Sequence, residues 1–189
     1  MLLDLADDAV VDGLRGLPPR VPDVAVLPPA LRERRGVFVT LTVDGELNGC
    51  IGTIEATEPL GVAVGRLARS AAFSDHRLPS LQAEDYTALT IEVSLLSPLE
   101  PIDAASRREL LDQLRAGVDG LVIDTGHRQG VFLPAVWEKL PDPDVFFDHL
   151  LRKAGLTPGS WPAGLRASRF TAEKLTRRAG DRSVPSRAA

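Results

Sequence analysis

Alternating hydrophobic and polar positions predict three β-strands in the first half of the chain. Two β-rich runs, "VFVTLTV" and "ELNGCIGT", flank the dipeptide Asp44-Gly45, which is typical of a tight hairpin turn. In the run "ALTIEVSLLS" every second residue from Leu89 to Leu95 is apolar, as expected of a strand with one buried face. The pattern predicts a hairpin followed by a separate strand.

Apolar residues at helical spacing predict most of the other elements. The predicted helices cover residues 2–15, 58–72, 106–117, 135–140 and 144–154. A second hairpin is predicted at "GLVIDTGHRQGVFLP" and a last strand at "LRASRFTAEKL". Because helices and strands do not alternate regularly, the order favours an α+β fold with a mostly antiparallel sheet.

The first hairpin pattern also predicts which side chains share a face. A two-residue turn sets Val39 opposite Cys50 and places Cys50 and Asn48 on the face of the first-strand valines. Gly49 and Gly52 weaken the strand and are typical of a bulge, or of a close approach by another backbone or a ligand. The chain's one cysteine therefore lies where a ligand could reach its sulfur.

Composition indicates a globular protein, and its charge argues against a nucleic-acid partner. The 189 residues are 44% hydrophobic and 25% charged, with a net charge of −4, which fits one domain with one or two lobes. Four arginines lie in residues 176–189, so the acidic body shows no basic face suited to a duplex. We predict a domain over residues 1–175 and a disordered basic tail over residues 176–189.

Cysteine usage and hydropathy predict the compartment. A single cysteine cannot form an internal disulfide, which fits a reducing environment. The opening "MLLDLADDAV" lacks the basic and apolar regions of a signal peptide, and no run of about 18 apolar residues is long enough to span a bilayer. We therefore expect a cytoplasmic protein with no membrane association.

Cys50 has two interpretations at this stage. A free cysteine is most often a small buried hydrophobic residue. A reactive cysteine instead needs a nearby cation or a helix N-terminus to favour the thiolate, and the helix predicted from about residue 58 is close in sequence. The spacing alone leaves both open.

Three further side chains are candidates for chemistry. The loop "FSDHRLP" holds Asp75 and Arg77. Arg77 is suited to binding an anionic group of a ligand; alternatively, Asp75 and Arg77 form an ion pair that pins the loop. Glu92 lies within a strand, where acidic residues are uncommon. It is either a general base or part of a solvated strand face. The three histidines are far apart and no nucleotide-binding glycine motif occurs, so we predict neither a metal nor a cofactor.

Seven stretches of the chain together carry a family resemblance: "GVFVTL", "LNGCIGT", "AAFSDHRLPSL", "LTIEVSLLSPLEPI", "GVDGLVI", "GVFLPAVWEKLPD" and "HLLRKAGL". In their order and spacing they resemble the AMMECR domain, called AmmeMemoRadiSam system protein A in bacteria and archaea. The resemblance implies a two-lobed α+β fold with the cysteine hairpin lining a cleft. It also implies a Memo-like protein and a radical-SAM enzyme as partners.

By position, the resemblance carries the family's motif residues onto Cys50, Glu92, Asp75 and Arg77. The family commonly has arginine at the position of Asn48. Asparagine can donate a hydrogen bond but supplies no charge, so an activated thiol here would take its cation from Arg77.

Two functions follow as hypotheses. In the first, the protein is an enzyme or enzyme component with Cys50 as nucleophile or covalent carrier and with Glu92 or Asp75 moving protons. Substrate would then be bound at four positions: Arg77, Asn48, Gly49 and Gly52. In the second, the protein is a non-catalytic adaptor that presents a substrate or docks the two partners.

Overall fold

A computed structural model describes residues 1–179, which form two compact units. The first contains Met1–Leu96 together with residues 173–179, and the second is Ser97–Ala172. Each unit has its own hydrophobic core and its own four-stranded sheet. The predicted α+β fold with antiparallel sheets is confirmed.

The elements follow the chain order helix, hairpin, helix, strand, inserted unit, strand. The α-helices are α1 Leu2–Leu14, α2 Pro29–Arg32, α3 Leu60–Phe73, α4 Arg107–Asp112 and α5 Pro143–Lys153. The strands are β1 Val37–Val43, β2 Glu46–Thr53, β3 Leu89–Leu96, β4 Glu100–Ile102, β5 Gly120–Asp124, β6 Gln129–Phe132, β7 Arg166–Phe170 and β8 Ala172–Arg178. Short 3₁₀ segments occur at Val24–Val26, Ala83–Ala88 and Pro134–Glu138. No helix within residues 1–179 is both long enough and apolar enough to cross a membrane.

The predicted last strand is in fact two strands in different sheets. β7 pairs with β4 and β5 in the second unit, whereas β8 lies beside β3 in the first. β8 runs to Arg178, so residues 176–178 belong to a sheet and the prediction of a tail from residue 176 is wrong for them. The rest of that predicted tail, from residue 180, lies outside the described residues.

The first sheet has strand order β2-β1-β3-β8 and one buried face. Alternate residues of β1 and β3 turn their side chains toward α1 and α3. The fully buried members of this set are Val37, Val39, Leu41, Leu89, Ile91 and Val93. The opposite face of the same strands carries mainly polar side chains, together with Phe38 and Leu96.

The register of the β1–β2 hairpin differs from the prediction by one residue. The two-residue turn is present, with positive φ at Asp44 (50°) and Gly45 (86°), as a primed turn requires. A bulge then leaves Asn48 without a partner, so that Cys50 pairs with Thr40 instead of Val39. A one-residue shift moves a side chain to the other face. Cys50 therefore lies on the polar face, not with the buried valines.

The second unit packs its sheet, of order β4-β7-β5-β6, around aromatic side chains. Phe146 and Phe147 of α5 are fully buried. The Trp137 ring stacks on Phe146 with centroids 3.8 Å apart, and its indole N–H donates to the Asp119 carbonyl at 2.7 Å. Stacking and the satisfied N–H together fix this core.

Candidate functional site

Four polar side chains form a row across the open face of the first sheet. Thr40 is the pairing partner of Cys50 on one side and of Glu92 on the other. Lys174 of β8 extends the row from Glu92. Because cross-strand partners project to the same face, these residues are neighbours, and we call them the polar row.

The thiol is hydrogen-bonded within the polar row. The Thr40 hydroxyl donates to the Cys50 sulfur, with Oγ1 and Sγ 3.3 Å apart. The Cys50 residue is half-buried, neither sealed in the core nor fully exposed.

Glu92 is held by two groups at the other side of Thr40. The Ser94 hydroxyl donates to Glu92 Oε1 at 3.2 Å, and Lys174 Nζ lies 3.5 Å from the same oxygen. The Glu92 side chain is 28% exposed, so Glu92 lies on a partly solvated strand face. Its use as a general base stays a prediction.

Asp75 and Arg77 bind the backbone of Cys50 at the free edge of β2. The Cys50 amide donates to Asp75 Oδ2 at 3.0 Å, and Arg77 Nη2 donates to the Cys50 carbonyl at 2.8 Å. β2 is the outer strand of its sheet, and such strands leave alternate backbone groups unpaired. The two side chains take the place of a neighbouring strand at Cys50, and we call them the edge clamp.

The edge clamp is itself a bidentate ion pair. Arg77 donates from Nε to Asp75 Oδ1 at 2.8 Å and from Nη2 to Oδ2 at 2.7 Å. The Asp75 side chain is only 3% exposed. Its hydrogen bonds from the Arg77 side chain, reinforced by the Cys50 and Arg77 backbone amides, hold the pKa of Asp75 far below its ordinary value, against the opposing effect of burial. The predicted pair that pins the loop is present, and so weak a base is unsuited to the proton transfer that the sequence also allowed.

Arg77 keeps one nitrogen for another partner. Its pKa is raised, chiefly by the hydrogen bond to Asp75 and with a smaller contribution from Cys50. Nη1 makes no hydrogen bond to the part of the chain that the structure describes, and the Arg77 side chain is 66% exposed. The guanidinium can therefore hold an anionic group beside Cys50.

The two glycines beside Cys50 make room for protein, not for a ligand. A Cβ on Gly49 would lie 2.0 Å from the Ala71 carbonyl oxygen of α3, on the buried face. A Cβ on Gly52 would lie 2.2 Å from the ring of Phe38, its pairing partner. The close approach is by a backbone at Gly49 and by an aromatic ring at Gly52.

Asn48 occupies the bulge and is incompletely bonded. Its Nδ2 lies 3.5 Å from the Pro79 carbonyl oxygen, at the limit of a hydrogen bond. Its Oδ1 is buried and has no partner among residues 1–179. Asn48 contacts the loop that carries the edge clamp, which is the only connection that the structure gives it to the site.

Sequence reasoning missed Thr40 and Lys174. The hairpin pattern would have identified Thr40 as the partner of Cys50 only if the bulge at Asn48 had been predicted. Lys174 has no local signal, because its place in the row depends on β8 returning to β3 after the inserted unit. No group of three or more His, Cys, Asp or Glu side chains suited to a metal ion occurs in the described chain.

Comparison with known proteins gives consistent matches over the whole domain. A family model described as AMMECR1 matches residues 3–175. A protein of Methanothermobacter thermautotrophicus is 39% identical over 175 residues, covering 91% of this chain and 90% of the relative. A protein of Methanosarcina mazei is 36% identical over 176 residues, covering 90% and 86%.

A solved structure has the same fold. It is the crystal structure of an uncharacterized protein from Pyrococcus horikoshii, with a TM-score of 0.85 and 32% sequence identity. The match covers 97% of this chain and 93% of the other. Fold and sequence therefore agree on one family.

Proposed function

This chain belongs to the AMMECR1 family, and we propose that it acts through Cys50 as the nucleophile or covalent carrier of a group-transfer reaction. The observation that carries the proposal is the Thr40 hydroxyl directed at the Cys50 sulfur on the open face of the sheet. A buried structural cysteine needs no such donor. The protein would work as an enzyme or as a component of one.

Each neighbour of the thiol has a separate role in this proposal. Thr40 positions the Cys50 sulfur by its hydrogen bond. Glu92, on the far side of Thr40, is the carboxylate that accepts or returns a proton on this face. The edge clamp positions Cys50 through its backbone, and Arg77 Nη1 holds an anionic group of the substrate.

The proposed setting is the cytoplasm, with a Memo-like protein and a radical-SAM enzyme as partners. One cysteine, half-buried and without a disulfide partner, fits a reducing compartment. The two partners come from the family resemblance. An adaptor that docks them without using its thiol is the alternative, and thiol reactivity separates the two.

The test is the rate of alkylation of Cys50 by iodoacetamide at pH 7 in the native full-length protein, followed by mass spectrometry. We expect native Cys50 to react at least as fast as in urea-unfolded protein. Thr40→Val should slow the reaction about tenfold, because it removes the hydrogen bond that holds the reacting sulfur. Thr42→Val, one pleat along the same strand face, should leave the rate unchanged and serves as the matched control.

Two results would count against the nucleophile. One is alkylation that occurs only when the protein unfolds. The other is equal rates for wild type and Thr40→Val. Either result would leave the adaptor as the remaining proposal, to be checked by co-purification with a Memo-like protein.

A further inference from the structure

A second site lies away from Cys50, in a cavity of about 480 Å³ within the first unit. Its walls are α1, α3 and the segment from Pro19 to Val21. Small residues of the two helices, Ala9 and Gly65, line this volume, whereas the space beside Gly13 is filled by the Phe73 ring. A cavity of this size is in the range that holds small organic ligands.

The lining is mainly apolar. Besides Ala9 and the glycines, it includes Pro19, Val21, Val62 and Phe73. Such a surface favours the hydrocarbon part of a ligand, because burying it removes apolar area from water.

Three arginines also line the cavity, and two of them are neutralised. Arg20 forms an ion pair with Asp12, which is almost fully buried. Arg66 donates from Nε to Glu58 at 2.8 Å. Both carboxylates belong to the lining as well, so these two pairs add no net charge to the cavity.

Arg69 is the third arginine, and no carboxylate neutralises it among residues 1–179. Its Nη2 donates to the Leu17 carbonyl at 2.9 Å, and its guanidinium lies 5.9 Å from the Phe73 ring centroid. Its Nη1 is buried and meets no acceptor in the described chain. Because Nη1 has almost no accessible surface, a ligand in the cavity would meet the charge of Arg69 and not this atom. With Arg20 and Arg66 paired to carboxylates, Arg69 leaves the cavity lining with one net positive charge.

We propose that this cavity binds a small monocarboxylate with an apolar body, with the carboxylate on Arg69. One uncompensated positive charge matches one negative charge. A phosphate dianion would bring two negative charges to a lining with one net positive charge, so its second charge would be buried without compensation. A neutral ligand would fill the apolar lining but leave Arg69 unpaired.

The first experiment compares three probes of equal chain length by isothermal titration calorimetry on the full-length protein. Hexanoate should bind about tenfold more tightly than hexanamide, because only the carboxylate forms an ion pair with Arg69. Hexyl phosphate should bind more weakly than hexanoate. Equal affinity for hexanoate and hexanamide, tighter binding of hexyl phosphate, or no heat with hexanoate at millimolar concentrations would each overturn the proposal.

The second experiment uses variants. Arg69→Met should lower hexanoate affinity about tenfold and leave hexanamide affinity unchanged, whereas Arg108→Met, at a 91% exposed side chain of the second unit, should change neither. Gly65→Met should block both probes by filling the cavity, and Gly65→Ala, whose Cβ would meet nothing closer than 3.8 Å, should leave hexanoate affinity within twofold. Full hexanoate affinity in Arg69→Met or in Gly65→Met would overturn the assignment.

The inference is independent of the proposed chemistry at Cys50. Cys50→Ser should bind hexanoate as wild type does, since Cys50 does not line the cavity. Circular dichroism and urea unfolding of each variant, without ligand, show that the protein tested is folded.

Discussion

Cys50 is fixed by three bonds that act on different parts of the residue. Thr40 holds the sulfur, Asp75 holds the amide and Arg77 holds the carbonyl. A side chain on an edge strand is otherwise free to move with its strand. Here the loop after α3 and the neighbouring strand position one thiol, which is the pre-organisation that a reactive group requires.

Asp75→Asn should lower the free energy of unfolding by about 2 kcal/mol, because a charge-assisted pair with Arg77 is lost at a buried position. Urea unfolding at pH 7 measures the change. Asp112→Asn is the matched control: its pair with Arg108 spans 3.8 Å between exposed side chains, and its loss should cost less than about 0.5 kcal/mol. Equal effects of the two substitutions would show that the edge clamp does not stabilise the fold.

The same carboxylate predicts a pH dependence. The pKa of Asp75 is lowered in the folded protein, chiefly by Arg77, so its stabilisation is present above the unfolded-state pKa of about 3.9 and is lost as pH falls below it. Between pH 5 and pH 3, the free energy of unfolding should therefore fall more steeply in wild type than in Asp75→Asn. Parallel pH profiles in urea titrations would contradict the assigned shift.

At the scale of elements, the bulge in β2 decides which face carries the thiol. The bulge sets Gly49, which has no side chain, against the Ala71 carbonyl of α3, and sets Cys50 on the opposite face. The strand and the helix approach each other more closely than a side chain would allow. The placement of the site thus depends on a helix–strand contact.

Gly49→Ala should destabilise the protein by about 3 kcal/mol, because its Cβ would overlap backbone that cannot turn away. Gly65→Ala is the control within α3, where space is available and alanine is the better helix former; it should stabilise by about 0.5 kcal/mol. Thermal or urea unfolding measures whether each substitution lowers or raises the free energy of unfolding. A mild effect at Gly49 would mean that β2 and α3 can separate.

The features that the sequence could predict are local, and those that it could not predict depend on tertiary contacts such as that between β2 and α3. β1 and β3 were predictable because valine, leucine and isoleucine alternate with polar residues, and the Asp75–Arg77 pair because its members are two residues apart. The turn residues predict the start of the hairpin register, but the bulge depends on α3. The place of Lys174 in the polar row and the cavity that Arg69 lines both depend on contacts between segments distant in sequence. A local sequence pattern does not predict such contacts.

At the scale of the whole molecule, spectroscopic probes separate the two units. Both tryptophans, Trp137 and Trp161, lie in the second unit, and the single cysteine lies in the first. Tryptophan fluorescence therefore reports unfolding of residues 97–172, and exposure of Cys50 to an alkylating reagent in urea reports the first unit.

Phe146→Ala should lower the stability of the second unit by about 3–5 kcal/mol, since it removes a fully buried ring stacked on Trp137. Urea unfolding followed by tryptophan fluorescence measures this. Val145→Ala, at the neighbouring 43% exposed position of α5, should change stability by less than about 0.5 kcal/mol. Similar values for the two variants would contradict the core assigned to this unit.

The edge clamp also limits how a partner can reach the thiol. A peptide that recognises a sheet by β-augmentation needs free amides and carbonyls along an outer strand, and at Cys50 both are already bound by Asp75 and Arg77. Strand addition is therefore blocked at Cys50, and a group that reaches the sulfur must approach from above the pleated surface.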